Sequence, residues 1–198
     1  MENINKVENL IYLFSKLPGL GPRSARRIVL HLIDDKHHRM NLLASALQDV
    51  NLSIVECDEC FNIDVKSPCS ICESDARNKE IIAIVETIGD LWALERSKIY
   101  NGLFHILGSS LSVAASRKPE TLKLHKLEER IDRLKIKELI IATNATLDGQ
   151  TTAYYITEFF KTKNIVITRL ASGIPIGGEL DYLDEGTLAA ALESRTAF

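Results

Sequence analysis

The chain has 198 residues, a formal net charge of −3 and 45% apolar residues. That is enough apolar material for one ordinary domain or two small ones. No apolar run approaches the about 20 residues of a membrane span, and the opening "MENINKVENL" has no apolar signal-peptide core, so a cytoplasmic protein is expected.

The first segment is helical in pattern. Val7, Leu10, Ile11 and Phe14 fall at i, i+3, i+4 and i+7; Ala25, Ile28, Val29 and Leu32 repeat the spacing, and Leu43, Ala46, Leu47 and Val50 do so again. Between the first two helices lies "LPGLGPRSARRIVLHLI" (17–33). Gly19 and Gly21 allow positive φ or close approach of another backbone, and Pro22 suits the first turn of a helix. The N-terminus of that helix offers free amides to an anion, with Arg23, Arg26 and Arg27 beside it. Residues 16–39 hold six Lys/Arg against Asp34 and Asp35, whereas residues 40–80 hold three against eight acids. A basic segment in a mildly acidic chain points to a localised anion contact. Amides plus guanidinium groups form a phosphate-contact design that does not need to read bases. The plain alternative is a helix–turn–helix connection with solvated arginines. The string resembles a helix-hairpin-helix element, which grips the DNA backbone without sequence preference.

All four cysteines follow in "CDECFNIDVKSPCSIC" (57–72). Cys57-x2-Cys60 and Cys69-x2-Cys72 supply four thiolates, enough to close a tetrahedral zinc site. Two disulfides or a redox pair are the alternatives; a reducing compartment disfavours the first, and the lack of a strand–CxxC–helix setting disfavours the second. Four thiolates leave no open position, so one structural zinc per chain is expected in a compact finger.

After residue 79 the pattern alternates. "EIIAIVE" (80–86), "LFHILG" (103–108), "KELIIATN" (137–144) and "NIVITRLA" (164–171) read as strands. "DLWALERS", the stripe Leu124, Leu127, Ile131 and Leu134, "TTAYYITEFFK" (151–161) and "DEGTLAAALESR" (184–195) read as helices. Tyr154 and Tyr155 read as packing residues. This alternation predicts a parallel α/β sheet, with functional residues at the carboxyl ends of its strands. Glu86 ends the first strand, Asp90 opens the next helix, and in "ATNATLDGQ" Asn144 ends a later strand with Asp148 in the loop that follows. The arrangement resembles a Toprim domain, in which a glutamate and an Asp-x-Asp hold Mg²⁺. Here Asn144 and Thr146 stand in the Asp-x-Asp positions, so Mg²⁺, which favours carboxylate oxygens, is expected to bind weakly at most. The bland readings are a helix N-cap for Asp90 and a turn residue for Asp148.

"LPGLGPRSARR", the paired CxxC motifs, "VE…DLWALER" and "GIPIGGELDYLDEGTL" (173–188) together resemble the RecR family of bacterial recombination mediators over essentially the whole chain. The resemblance implies a helix-hairpin-helix module (1–54), a four-cysteine zinc finger (55–79), a Toprim-like α/β domain (80–172) and a C-terminal oligomerisation segment (173–198). It implies a non-enzymatic, ring-forming homodimer or homotetramer that clamps single- and double-stranded DNA. It further implies that RecO and RecF act with it to load RecA on single-stranded gaps during recombinational repair. Carried over by position, Arg23 and Arg27 contact DNA, with Arg26, Gly19 and Gly21 beside them. Cys57, Cys60, Cys69 and Cys72 bind zinc, and Glu86, Asp90 and Asp148 are the acidic cluster, meeting a partner or a weak Mg²⁺. The rival expectations are a Mg²⁺-dependent Toprim nuclease or topoisomerase-like enzyme, and an assembly protein that contacts only proteins.

Overall fold

A computed structural model describes residues 5–112, 115–171 and 173–195. The chain divides into two compact units, Met1–Ile54 and Val55–Phe198.

In the first unit, α1 (Lys6–Ser15) starts where the Asn5 side chain accepts the Val7 N–H. A short turn leads to α2 (Pro22–Asp34), with Pro22 at its first position. A π-helical turn (Lys36–Met40) joins it to α3 (Asn41–Ser53). The apolar spacing of all three helices matches the sequence pattern, yet only Ala25 and Val29 are buried. Tyr12, Leu13 and Leu17, and Leu43, Leu47 and Val50, stay exposed. The stripe of α3 thus remains exposed, whereas Leu10, Ile11 and Phe14 of α1 and Ile28 and Leu32 of α2 are half-buried.

The second unit is built on a four-stranded parallel sheet. Its strands are β3 (Asn78–Val85), β4 (Gly102–Ile106), β5 (Glu138–Ile141) and β6 (Val166–Arg169), in the order β4-β3-β5-β6. The period-2 alternation of β3 divides the core. Ile82 and Ile84 point into one layer with Leu103, Leu139 and Ile141, and with Leu127 and Ile131 of α6 (Leu124–Leu134) and Ile156 and Phe160 of α7 (Leu147–Phe160). Ala83 and Val85 point the other way, toward Phe104, Ile106 and Leu91 of α5 (Ile88–Ser97). Both faces are covered, which is why β3 and β4 read as continuous apolar runs. Each fully buried Leu or Ile contributes about 1.5–3 kcal/mol relative to exposure.

α5 begins with a reciprocal capping box between Thr87 and Asp90. α7 begins at Thr146, whose hydroxyl accepts the Gly149 N–H at 3.1 Å. Tyr155 packs against the core, but Tyr154 is 71% exposed. The two adjacent tyrosines lie about 100° apart around the helix, so only one can face the sheet.

Preceding the sheet, β1 (Val55–Glu56) pairs antiparallel with β2 (Ile63–Asp64), and a single helical turn, α4 (Ser70–Glu73), follows. After β6, the chain forms a 3₁₀ turn (Leu180–Tyr182) and α8 (Glu185–Glu193), capped by Asp184 through the Thr187 N–H. No described residue from 173 to 195 is buried, and Ile174, Ile176, Leu180, Tyr182 and Leu192 are all exposed. Among the described residues, no helix is long and apolar enough to cross a membrane.

Candidate DNA-binding hairpin and metal centre

The turn between α1 and α2 closes through the Leu20 N–H on the Leu17 carbonyl (3.1 Å). Gly19 sits at φ +77°, a left-handed conformation that side-chain-bearing residues resist. Gly21 is the N-cap of α2 and brings no side chain to the first turn. A Cβ on either glycine would meet nothing within 4 Å, so the space in front of the turn is open. The first-turn amides of α2 therefore face outward with the positive end of the helix dipole behind them. Arg23, Arg26 and Arg27 are all exposed, and among the described residues none is in an ion pair with a carboxylate. Arg23 and Arg27 stand one turn apart on the same helix face. The arrangement presents free cations and free amides to an anion.

The four cysteines converge. Their sulfurs all lie within 4.8 Å of one another, with Cys60 and Cys69 at 3.5 Å. Tetrahedral zinc with bonds of about 2.3 Å places sulfurs about 3.8 Å apart, so the donor set fits such an ion. Cys57, Cys60 and Cys69 are fully buried, and all four thiols are free. Local hydrogen bonds set the geometry. The Cys57 N–H donates to the Asn62 carbonyl (2.7 Å), the Phe61 N–H closes the first knuckle on the Cys57 carbonyl (2.9 Å), and the Cys69 N–H points at the Cys57 sulfur (3.3 Å). Phe61, at φ 65°, makes the turn that lets β2 run back along β1. Asp58 and Ser67 hydrogen-bond across the finger, and Asp64 accepts the Ser70 N–H (2.7 Å) at the second knuckle. The hydrogen bonds from Ser70, and then the Val65 N–H, hold the Asp64 carboxyl below its ordinary range. Within the sulfur cluster, the hydrogen bond to Cys69 holds the Cys60 thiol far above its ordinary value, and the same bond drives Cys69 far below. Thiols this close share protons, and a divalent cation would take the place of those protons. Among the described residues this is the one group of three or more ligating side chains that could hold a metal.

The finger is joined to the sheet. The Ile106 N–H at the end of β4 donates to the Cys60 carbonyl (2.9 Å), and the Lys123 ammonium sits 3.8 Å over the Phe61 ring. Arg130, in the middle of α6 and only 1% exposed, reaches from the sheet to the finger. Sequence reasoning missed it. The signal was legible, because Arg130 falls inside the stripe formed by Leu124, Leu127, Ile131 and Leu134, where a charge has no reason to lie without a partner.

The acidic residues sit at the carboxyl ends of the neighbouring strands β3 and β5, but their carboxylates do not assemble into a metal-ligating group. Glu86 is 6% exposed and accepts the Asn144 N–H at 2.8 Å. Asp90 accepts both the N–H and the hydroxyl of Thr87, each at 2.8 Å. Asp148 lies 3.7 Å from Arg117. Each acid is already engaged by a partner of its own. Next to Asp90 and Asn144, a cavity of about 320 Å³ is lined largely by Ala93, Leu94, Ala142, Leu170 and Arg169.

Comparison with known proteins accounts for nearly the whole chain. Residues 7–51 match the model described as RecR, helix-hairpin-helix; residues 80–171 match the Toprim domain; residues 173–196 match RecR, C-terminal. The recombination protein RecR of Rickettsia bellii (strain OSU 85-389) is 56% identical over 197 residues, covering 100% of this chain and 98% of that protein. The RecR of Rickettsia canadensis (strain McKiel) is 56% identical over 198 residues, covering 100% of both.

The chain belongs to the RecR family.

The RecR helix-hairpin-helix match spans the Gly19–Gly21 turn and all three arginines, and the Toprim match spans Glu86, Asp90 and Asp148. The RecR C-terminal match coincides with the segment in which no described residue is buried.

Proposed function

We propose that this chain is a non-enzymatic recombination mediator that holds DNA by its sugar-phosphate backbone in recombinational repair. The observation that carries the reading is the hairpin: open glycines, a helix N-terminus without a side-chain cap and three exposed arginines that have no carboxylate partner among the described residues. Relatives that match this chain over its whole length bear the name recombination protein RecR. Arg23 and Arg27 neutralise phosphates, Arg26 adds to the local field, and Gly19 and Gly21 let the strand approach the amides.

Several observations support the finer parts of the reading. Four closely spaced thiols, three of them buried and Cys72 half-buried, fit one zinc ion per chain. Bound there, zinc supplies no open coordination position for chemistry; it fixes the two knuckles. A finger with few apolar residues needs such a staple. Asn144 and Thr146 in place of acids, and the separate engagement of Glu86, Asp90 and Asp148, argue against a Mg²⁺-dependent cleavage centre. The half-buried Asp90 and Asp148 serve instead as a contact for a basic partner surface, RecO by family resemblance, with RecF and RecA acting in the same cytoplasmic process, while the buried Glu86 holds the Asn144 loop behind them. The uncovered apolar residues of α1 and α3 and of the segment 173–195 support a homodimer or homotetramer.

The test is a DNA-binding titration at several salt concentrations, on duplex and single strands, combined with a Mg²⁺-dependent nicking assay. Salt-sensitive binding to both DNA forms without cleavage is expected. Cleavage that Glu86→Gln abolishes would replace the mediator reading by a nuclease.

A further inference from the structure

The cysteine centre has a cation beside it. Arg130 belongs to the buried stripe of α6, where its neighbours Leu127 and Ile131 pack against the sheet. A guanidinium does not give up its proton in a protein. Its burial at 1% exposure therefore has to be offset by hydrogen bonds and by an anion. Nη1 donates to the Phe104 carbonyl at 2.8 Å and lies 3.5 Å from His105 Nδ1. Nε lies 3.4 Å from Glu59 Oε2 but makes no hydrogen bond, and Nη2 is directed at the Cys72 sulfur at 3.8 Å.

The charges around this group do not balance without the sulfurs. Among the described residues, Glu59, inside the first CxxC, is the only carboxylate within ion-pair distance of Arg130, and the exposed Arg133 pairs with the same oxygen. One carboxylate faces two guanidinium groups. Four neutral thiols, or two disulfides, would leave the buried cation next to uncharged sulfur. Four thiolates around a divalent ion carry a net charge of −2, and Cys72 presents part of it to Nη2.

We propose that Arg130 is the charge partner of the metal–thiolate centre: through Cys72 it stabilises the loaded finger, and through Phe104 it fastens that finger to the sheet. The inference rests on the metal reading above. It assigns to Arg130 an effect on metal retention that packing alone would not produce. The long stem of Arg130 fills the apolar stripe while its head answers the charge of the cluster.

The experiment uses the full chain. Zinc affinity is measured by competition with a chromophoric chelator, and unfolding stability is measured with zinc bound and after zinc removal under reducing conditions. Arg130→Met keeps much of the stem volume and removes the charge. It is expected to lower zinc affinity by about 10- to 100-fold, the range for partners of metal ligands. Arg130→Lys is expected to recover part of the loss, and Arg133→Met, at the exposed end of the same carboxylate, to stay near the wild type. The variant is expected to lose more stability with zinc than without it, because the metal-free protein offers the cation only the Glu59 carboxylate that it shares with Arg133. Should Arg130→Met not fold, Arg130→Gln carries the same comparison. Unchanged zinc affinity, or an equal loss of stability with and without zinc, overturns the inference while leaving the metal reading intact. A freshly purified wild-type protein that holds no metal overturns both.

Discussion

The Glu86 carboxylate accepts the main-chain N–H of Asn144 at 2.8 Å, joining the end of β3 to the loop that follows β5. In this chain the glutamate at the Toprim position is a tie between neighbouring strand ends. Asn144, itself at the first Asp-x-Asp position, supplies the donor through its backbone, so its side-chain identity does not matter to the bond.

Glu86→Ala is expected to destabilise the second unit by about 1–3 kcal/mol, because it leaves the Asn144 N–H without its acceptor. Glu86→Gln keeps an acceptor oxygen and is expected to lose less. Urea unfolding of the two variants gives the comparison. A Gln variant as unstable as the Ala variant would mean that the carboxylate charge, not the hydrogen bond, matters.

Gly149 closes the same corner. A Cβ there would stand 2.1 Å from the Asn144 carbonyl oxygen and 2.9 Å from Glu86 Oε1. Since the nearer atom is backbone, the start of α7 has to move to admit a methyl group. Gly149→Ala is expected to destabilise by about 1–3 kcal/mol despite the better helix propensity of alanine. A thermal melt equal to the wild type would show that the corner is softer than its contacts indicate.

Much of this was readable in the sequence, for physical reasons that differ by region. β3, buried on both faces, shows as "IIAIV", and the i, i+3 stripe of α6 shows which side meets the sheet. The cysteine spacing makes the finger legible because ligand chemistry constrains it more tightly than packing does. The division of labour among acids was not legible. Glu86, Asp90 and Asp148 look alike as letters, but one bonds a backbone amide, one caps a helix and one faces Arg117. Burial of the first-unit helices was also hidden, since an apolar stripe forms a helix whether or not the same chain covers it.

His105 offers a pH handle. The ring is fully buried, edge-on to Phe61; its Nδ1 faces Arg130, and among the described residues Nε2 has no hydrogen-bond partner. Burial first, and the Arg130 charge second, push its pKa down to about 3 from the ordinary 6.5. The unfolded chain therefore takes up a proton between those values that the folded protein refuses. Stability is expected to fall as pH drops through this window, by up to about 1.4 kcal/mol per pH unit from this residue. The imidazole resonances of His105 should stay those of a neutral ring at pH 5. A titration midpoint above 5 in the folded protein would contradict the burial argument.

The hairpin makes the most direct functional prediction. Arg23 and Arg27 stand on one face of α2, exposed and, among the described residues, free of carboxylate partners, while Ala25 and Val29 hold that helix in its unit. Removing both guanidinium groups should leave the fold intact, because neither contributes to that small core. Arg23→Ala with Arg27→Ala is expected to weaken binding to every DNA sequence alike. Each lost phosphate contact should reduce the slope of log K against log salt by about 0.9 on duplex and about 0.7 on single strands. Circular dichroism checks the fold, and binding isotherms at several salt concentrations give the slope. Equal affinity and slope in the folded double variant would place the DNA-contacting surface elsewhere on the chain. A loss confined to some sequences would mean that these arginines read bases rather than phosphates.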